Sequence, residues 1–558
     1  MNRYNPEGTL TINTMKTLVI SLGLIILSTM SISAQKEDSI DIALGLIGLS
    51  FEASEIDSMA DDVSAHRENF EQLREMLLPN DLPFSLVFMP PINRDLIPDK
   101  QITISWEFEE VELPSDMADL AFYPVYKLAS LIAAEKITSV ELTEYFIERL
   151  KKYRDTLQCV VTITDSLALE QARKADRELE QGIYRGILHG IPYGAKDLLA
   201  VEGYKTTWGA MPYRDQVLDY NATVINKLEE AGAILVAKLT LGALAWGDVW
   251  YGGKTRNPWD LTQGSSGSSA GSASAAVAGL VPFAIGSETW GSIVSPSTVC
   301  GATGLRPTFG RVSRHGAMAL SWTMDKLGPI CRNSVDCALV FNEIRGEDGQ
   351  DLSLRDFPFN YKYTGSINDL RVGILREEFE QGESDPVDSA FISFLEAQGI
   401  QMLDKELPSD IPVNALSFIL TAEAGAAFDE LTRSNRDSLL VRQIKNAWPN
   451  VFRSSRLIPA VEYIQANRLR HQLTLQFNEM MKDIDVLIAP SFSDQLLMTN
   501  LTGHPCVVLP AGSYASGNSG SVTLLGNHFD EASILVFARY IQDMTPFDEE
   551  YPVFFHEQ

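Results

Sequence analysis

Residues 222–239 read ATVINKLEEAGAILVAKL, and this phrase decides the fold class. A helix-forming stretch stops at Gly232 and runs at once into a β-rich stretch that is apolar but for Lys238. A strand with no polar alternation is buried on both faces, as in a sheet layered between helices. The same helix–glycine–strand order returns at 389–402, SAFISFLEAQGIQM, with Gly399 as the stop. Further short apolar strands are expected at LRVGIL from Leu370, DVLIAP from Asp485 and CVVLPA from Cys506. Upstream, Thr138 and Glu141 make a T-x-x-E capping box for a helix carrying Leu142, Phe146 and Leu150 on one side. Helices alternating with such strands predict the α/β class.

Between these elements lies GSSGSSAGSASAAVAG, residues 264–279. A flexible linker would be flanked by polar and turn residues on both sides. This stretch instead leads through Ala and Val into the strand-like PFAIG. Dense small residues let backbone approach backbone or a ligand closely. Composition therefore favours a buried loop feeding a packed helix, without choosing its chemistry. Two other stretches add to it: GILHGIPYGAKDLLAVEGYKTTWGA, with Lys196 beside Asp197 among apolar neighbours, and GSETWGSIVSPSTVCGATGLRPTFGRVS, residues 286–313.

Taken in order, the three stretches resemble the amidase signature family. The matching residues are Gly190–Asp197, Ser266–Ser272 and Glu288–Val294, with further likeness in GLRPTFGRVS, NLTGHPCVVLPAG and GNHFDEASIL. The resemblance spans roughly Leu120 to Pro546. It implies one large α/β domain around a mixed central sheet covered by helices, and a serine amidase working through a Ser-Ser-Lys triad and an acyl-enzyme. By position, Ser292 is the nucleophile, Ser268 the bridging serine in an unusual cis conformation, and Lys196 the base. The backbone N–H groups of Thr289, Trp290, Gly291 and Ser292 would form the oxyanion hole. The chemistry needs these residue types. A serine hydroxyl is a poor nucleophile until a base takes its proton, and a lysine is a base only when burial keeps it neutral.

Three positions depart from the family pattern: Glu288 stands for Asp, Trp290 for Gly and Val294 for Arg. The E-T-x-G-S-I turn is closest to the peptide-amidase branch. Loss of the arginine requires another donor for Glu288, which the sequence does not name. Trp290 is open to two readings, a wall of the acyl pocket or a core residue. The stretch Asn342–Met480 carries none of the motifs and is expected to shape that pocket. The seven histidines are scattered singly, with no H-E-x-x-H or other metal spacing. No metal and no organic cofactor is expected.

The 45 basic and 74 acidic residues give a net charge of −29, which repels phosphate backbones and argues against nucleic-acid binding. From Met15 the chain runs MKTLVISLGLIILSTMSISAQ, the layout of a secretory signal too short to span a membrane. The expected organisation is a leader over 1–34 with its start at Met15, an acidic helical and extended N-terminal extension over 35–117, and the amidase domain over 118–558. In the extension, Ile56, Met59, Val63, Phe70, Leu73 and Leu77 recur at helical spacing, and LPNDLPFSLVFMPPINRD predicts an extended stretch that wraps a larger body. Five scattered cysteines, an odd number, are read as core residues and not as a disulfide framework.

The expected protein is a secreted or periplasmic amidohydrolase that acts on a small-molecule or peptide amide, with no stable membrane insertion after signal removal. Two alternatives stand beside it: a glutaminase-type subunit of an amidotransferase, and a catalytically inactive binding protein on the same scaffold.

Overall fold

The computed structural model describes residues 38–106, 110–381, 386–513 and 519–556. The leader read over 1–34 lies outside the described residues. The strands of the main sheet are β1 (Val160–Ile163), β2 (Pro192–Lys196), β3 (Ile234–Leu239), β4 (Phe283–Glu288), β5 (Thr303–Arg306), β6 (Lys326–Cys331), β7 (Val372–Ile374), β8 (Met402–Asp404), β9 (Val486–Pro490), β10 (Cys506–Ser513) and β11 (Ser519–Gly526). They form one sheet in the order β1-β3-β2-β4-β6-β5-β10-β11-β9-β7-β8. β2 runs parallel to β3 and β4, and β7 runs parallel to β8 and β9. The other neighbours are antiparallel, so the sheet is mixed.

Every residue of β2, β3, β4 and β6 is buried, as strands covered on both faces require, including the polar Lys196, Lys238, Ser287, Glu288 and Lys326 that they carry. The covering helices include α1 (Ser139–Leu157), α2 (Thr223–Glu230), α3 (Ala270–Val277) and α4 (Val294–Cys300). The Thr138–Glu141 capping box opens α1, with Thr138 Oγ1 accepting from the Glu141 N–H at 3.1 Å and Glu141 accepting from the Thr138 N–H at 2.9 Å. On the inner side of α1, Leu142, Phe146 and Leu150 are buried. Arg149 is buried beside them and donates to the carbonyls of Gly279 at 2.7 Å, Ala278 at 3.1 Å and Phe555 at 2.7 Å. α2 ends just before Gly232, whose φ of +84° supplies the left-handed turn that leads into β3.

Residues 80–456 and 461–558 make up one compact unit, and residues up to Pro79 with Leu457–Ala460 make up another. In the second unit the expected helix forms over Ala53–Arg74. Its Ile56 is buried, whereas Phe70 and Leu73 are exposed.

In the large unit residues 80–93 pass over the body without helix or strand, where prolines 83, 90 and 91 deny ladder donors. The Phe88 ring packs 5.2 Å from Phe309, and the Arg470 guanidinium lies 3.6 Å from its centre. The Asn478 side chain donates to the Pro91 carbonyl at 2.8 Å.

Candidate active site

Parallel pairing of β2 with β4 brings Lys196, at the end of one strand, beside Ser287, near the end of the other. The lysine is completely buried. Its Nζ lies 2.8 Å from Ser268 Oγ, 2.8 Å from Ser287 Oγ, 3.0 Å from Ser269 Oγ and 3.3 Å from the Ser287 carbonyl. Burial drives its pKa well below the ordinary lysine value, against the opposing pull of Asp325 and Glu288. A lysine in that state has a free lone pair and accepts a proton from a neighbouring hydroxyl.

The Gly/Ser stretch is a packed loop that runs into α3, as its composition predicts. Gly267 has no room for a side chain, because a Cβ there would sit 2.0 Å from the Gly247 carbonyl oxygen. The Gly267–Ser268 peptide is cis. The next residue anchors the loop: the Ser269 N–H donates to the Ser292 carbonyl at 3.1 Å, and Ser269 Oγ donates to the Ser287 carbonyl at 3.0 Å. The loop of Ser268 is thereby tied to the turn of Ser292.

That turn, between β4 and α4, is closed around a carboxylate. Glu288 Oε2 accepts from the N–H groups of Ile293 at 2.8 Å and Val294 at 3.0 Å. Its Oε1 accepts from Arg306 Nη1 and Asn500 Nδ2, each at 2.8 Å. Burial alone would raise the Glu288 pKa, but the charge and hydrogen bond of Arg306, with Lys326 and the Val294 N–H, hold it down to about 2. Arg306 and Asn500 are therefore the donors that replace the missing arginine at 294. Gly291 takes a φ of +82°, which makes the glycine before Ser292 a conformational requirement. Thr289 Oγ1 donates to Asp325 Oδ1 at 2.5 Å, and Asp325 Oδ2 accepts from the N–H groups of Leu320 and Ser321.

Trp290 is 43% exposed, which excludes the core reading of its indole. Ser292 is 9% exposed at the bottom of the same turn. Asp197, next to the lysine in sequence, faces elsewhere: it pairs with Lys238 at 2.8 Å and accepts from the Thr207 N–H at 2.9 Å. All five cysteines are free and buried. His189 and His528 bond to the carbonyls of Ala175 and Thr502, each at 2.9 Å, and serve packing. Reading by motif missed Ser269, Ser287, Arg306, Asp325 and Asn500. Ser287 and Arg306 stand inside the quoted 286–313 stretch, yet only the folded sheet shows what they touch.

The sequence model described as Amidase matches residues 141–499. A glutamyl-tRNA(Gln) amidotransferase subunit from Chloroflexus aurantiacus is 34% identical over 484 residues, 78% of this chain and 99% of that protein. Its namesake from Coxiella burnetii is 31% identical over 465 residues, 75% of this chain and 96% of that protein. Native peptide amidase from Stenotrophomonas maltophilia superimposes with a TM-score of 0.69 at 24% identity, covering 77% of this chain and 98% of that one. A structure described as a vestigial protein complex that reveals the origins of an s-triazine catabolic enzyme also reaches 0.69, at 25% identity over 76% of this chain and 98% of that one.

Proposed function

The chain belongs to the amidase signature family of amide-cleaving serine enzymes, and from that premise we propose that Lys196, Ser268 and Ser292 work as its catalytic triad. Neutral Lys196 takes the proton of Ser268 as Ser268 takes that of Ser292. The freed Ser292 oxygen bonds to the amide carbonyl carbon, and the carbonyl oxygen gains the negative charge. The N–H groups of Thr289, Trp290, Gly291 and Ser292 receive that charge. The C–N bond then breaks, the departing amine takes a proton back through Ser268, and water releases the acyl group by the same path. The observation that carries this reading is the buried Lys196 Nζ, 2.8 Å from Ser268 Oγ. A fluorophosphonate probe tests it: one adduct on the wild type, absent from Ser292→Ala, is the expected result. An adduct that persists on the variant assigns the nucleophile elsewhere.

The curated relatives favour a second reading over free amide hydrolysis, that of a glutaminase-type subunit feeding ammonia to a partner. Ammonia release from glutamine, set against release from a panel of other primary amides, separates the two. A strong preference for glutamine supports the glutaminase reading.

Export from the cytosol is part of the proposal and rests on the signal-like residues 15–34. N-terminal sequencing of the mature protein tests it, with cleavage near Ala34 as the expected outcome and an intact leader on cytosolic protein as the contrary one.

A further inference from the structure

Beside the Ser287–Thr289 end of β4 the body opens into a cleft. The stretch Asn342–Met480, expected to shape the acyl pocket, contributes Gln350–Ser353 to its lining. More of the apolar surface comes from the extended N-terminal strap, through Phe84, Leu86 and Val87, and from Met318, Leu320 and Trp322 in the loop before β6.

Strap and loop are fastened together. The Asn80 amide donates to the carbonyls of Ala319 at 3.0 Å and Ala427 at 3.3 Å, and its oxygen accepts from the Ala319 N–H at 2.7 Å. The rings of Phe84 and Trp322 stand 5.8 Å apart. The same loop ends at Asp325, which accepts a hydrogen bond from the Thr289 hydroxyl. One connected wall thus runs from the strap to the turn of Ser292.

Two features define what the cleft accepts. Leu86 is 68% exposed while lining a concave site, so an apolar group seated there would bury its side chain. Arg314, the guanidinium of the lining, is already held by both Asp351 oxygens, at 2.8 and 2.9 Å. A substrate carboxylate would have to displace that pair.

We propose that this cleft is the acyl site and that the strap, which lies before the family match at 141–499, selects amides whose acyl group carries an apolar, ring-sized substituent. The proposal rests on Ser292 as nucleophile, and its test separates the two. The full chain is treated with two phosphonofluoridates of equal length, one bearing a phenylpropyl group and the other an oligo-ether. In each, a serine O–P bond forms as P–F breaks, fluoride leaves and the serine proton passes to the base.

The phenylpropyl probe should react about tenfold faster with the wild type. Phe84→Ser and Trp322→Ser should bring its rate down to that of the ether probe, while the ether rate holds and thereby reports an intact fold and triad. Equal rates on the wild type, or variants that slow both probes alike, overturn the acyl-site assignment and leave Ser292 in place. Failure of both probes to label overturns the nucleophile and this proposal with it.

Discussion

Arg306 on β5 lies 2.8 Å from Glu288 on β4, and both side chains are wholly buried. The pair holds the turn of Ser292, because the same carboxylate accepts from the N–H groups of Ile293 and Val294. Arg306→Met leaves a buried carboxylate without its cation, so unfolding free energy should drop by about 3–5 kcal/mol in denaturant titration. Adding Glu288→Gln should recover much of that stability without recovering activity. The sign of the acid response is also set. With its pKa lowered to about 2, Glu288 contributes stability in full above its ordinary value of 4.5, and that contribution is lost as pH falls towards 2.

Lys196, as the proposed base, should set the alkaline side. Because burial lowers its pKa, the neutral base should accumulate below the ordinary lysine value of 10.5. kcat/KM should therefore rise with pH and level off before 10.5 is reached. A profile that is flat over neutral and alkaline pH, in protein that circular dichroism shows to be folded, contradicts its role as base.

Ser292→Ala should reduce kcat by about 10⁶-fold, the scale for loss of a serine nucleophile. Ser268→Ala should cost about 10²–10⁴-fold, since the relay is lost but the nucleophile and oxyanion donors remain. Steady-state kinetics on any cleaved amide decides the order, and equal losses for the two would contradict the division of roles.

Thr289→Val removes the hydroxyl that donates to Asp325 and loosens the first residue of the proposed oxyanion turn. The expected result is a fall in kcat of about tenfold with KM little changed, equivalent to about 1.4 kcal/mol of transition-state stabilisation. Thr289→Ser, which keeps the hydroxyl, should restore most of it. A loss confined to KM would place Thr289 in substrate binding alone.

The five buried thiols of Cys159, Cys300, Cys331, Cys337 and Cys506 should resist a thiol reagent in the native protein and react together on denaturation. Dithiothreitol should leave the Tm unchanged. A drop in Tm on reduction would mean that a disulfide forms.

Much of the sheet was legible because its strands carry an unmistakable local mark. β3 (apolar but for Lys238), β9 and the first six residues of β10 are apolar runs bounded by glycine or turn residues, so sequence neighbours alone locate them. The motifs likewise marked Ser268 and Ser292, which stand in loops, and Lys196, which ends β2, because each motif is a short-range pattern. The partners of Glu288 were illegible for the opposite reason. Arg306 is 18 positions away and Asn500 is 212 positions away, and only the register of β4, β5 and β6 with the helix Asp494–Thr502 brings them to one carboxylate. The Phe84–Trp322 contact has the same character, since a proline-rich segment shows that it is extended but not what it lies against.

Arg149 carries a consequence for synthesis. Two of its carbonyl partners, Ala278 and Gly279, follow within 130 positions, but the third, Phe555, is 406 positions later in the chain. At a ribosomal pace of about 5–20 residues per second, the guanidinium waits about 20–80 s for that last acceptor. During this interval the groove beside α1 lacks Phe555 and the Phe555–Tyr153 ring contact, and it exposes apolar surface to any chaperone or neighbouring nascent chain. Phe555 therefore joins this flank long after Arg149 is made, and a chain interrupted between the two carries Lys196, Ser268 and Ser292 with its flank still open.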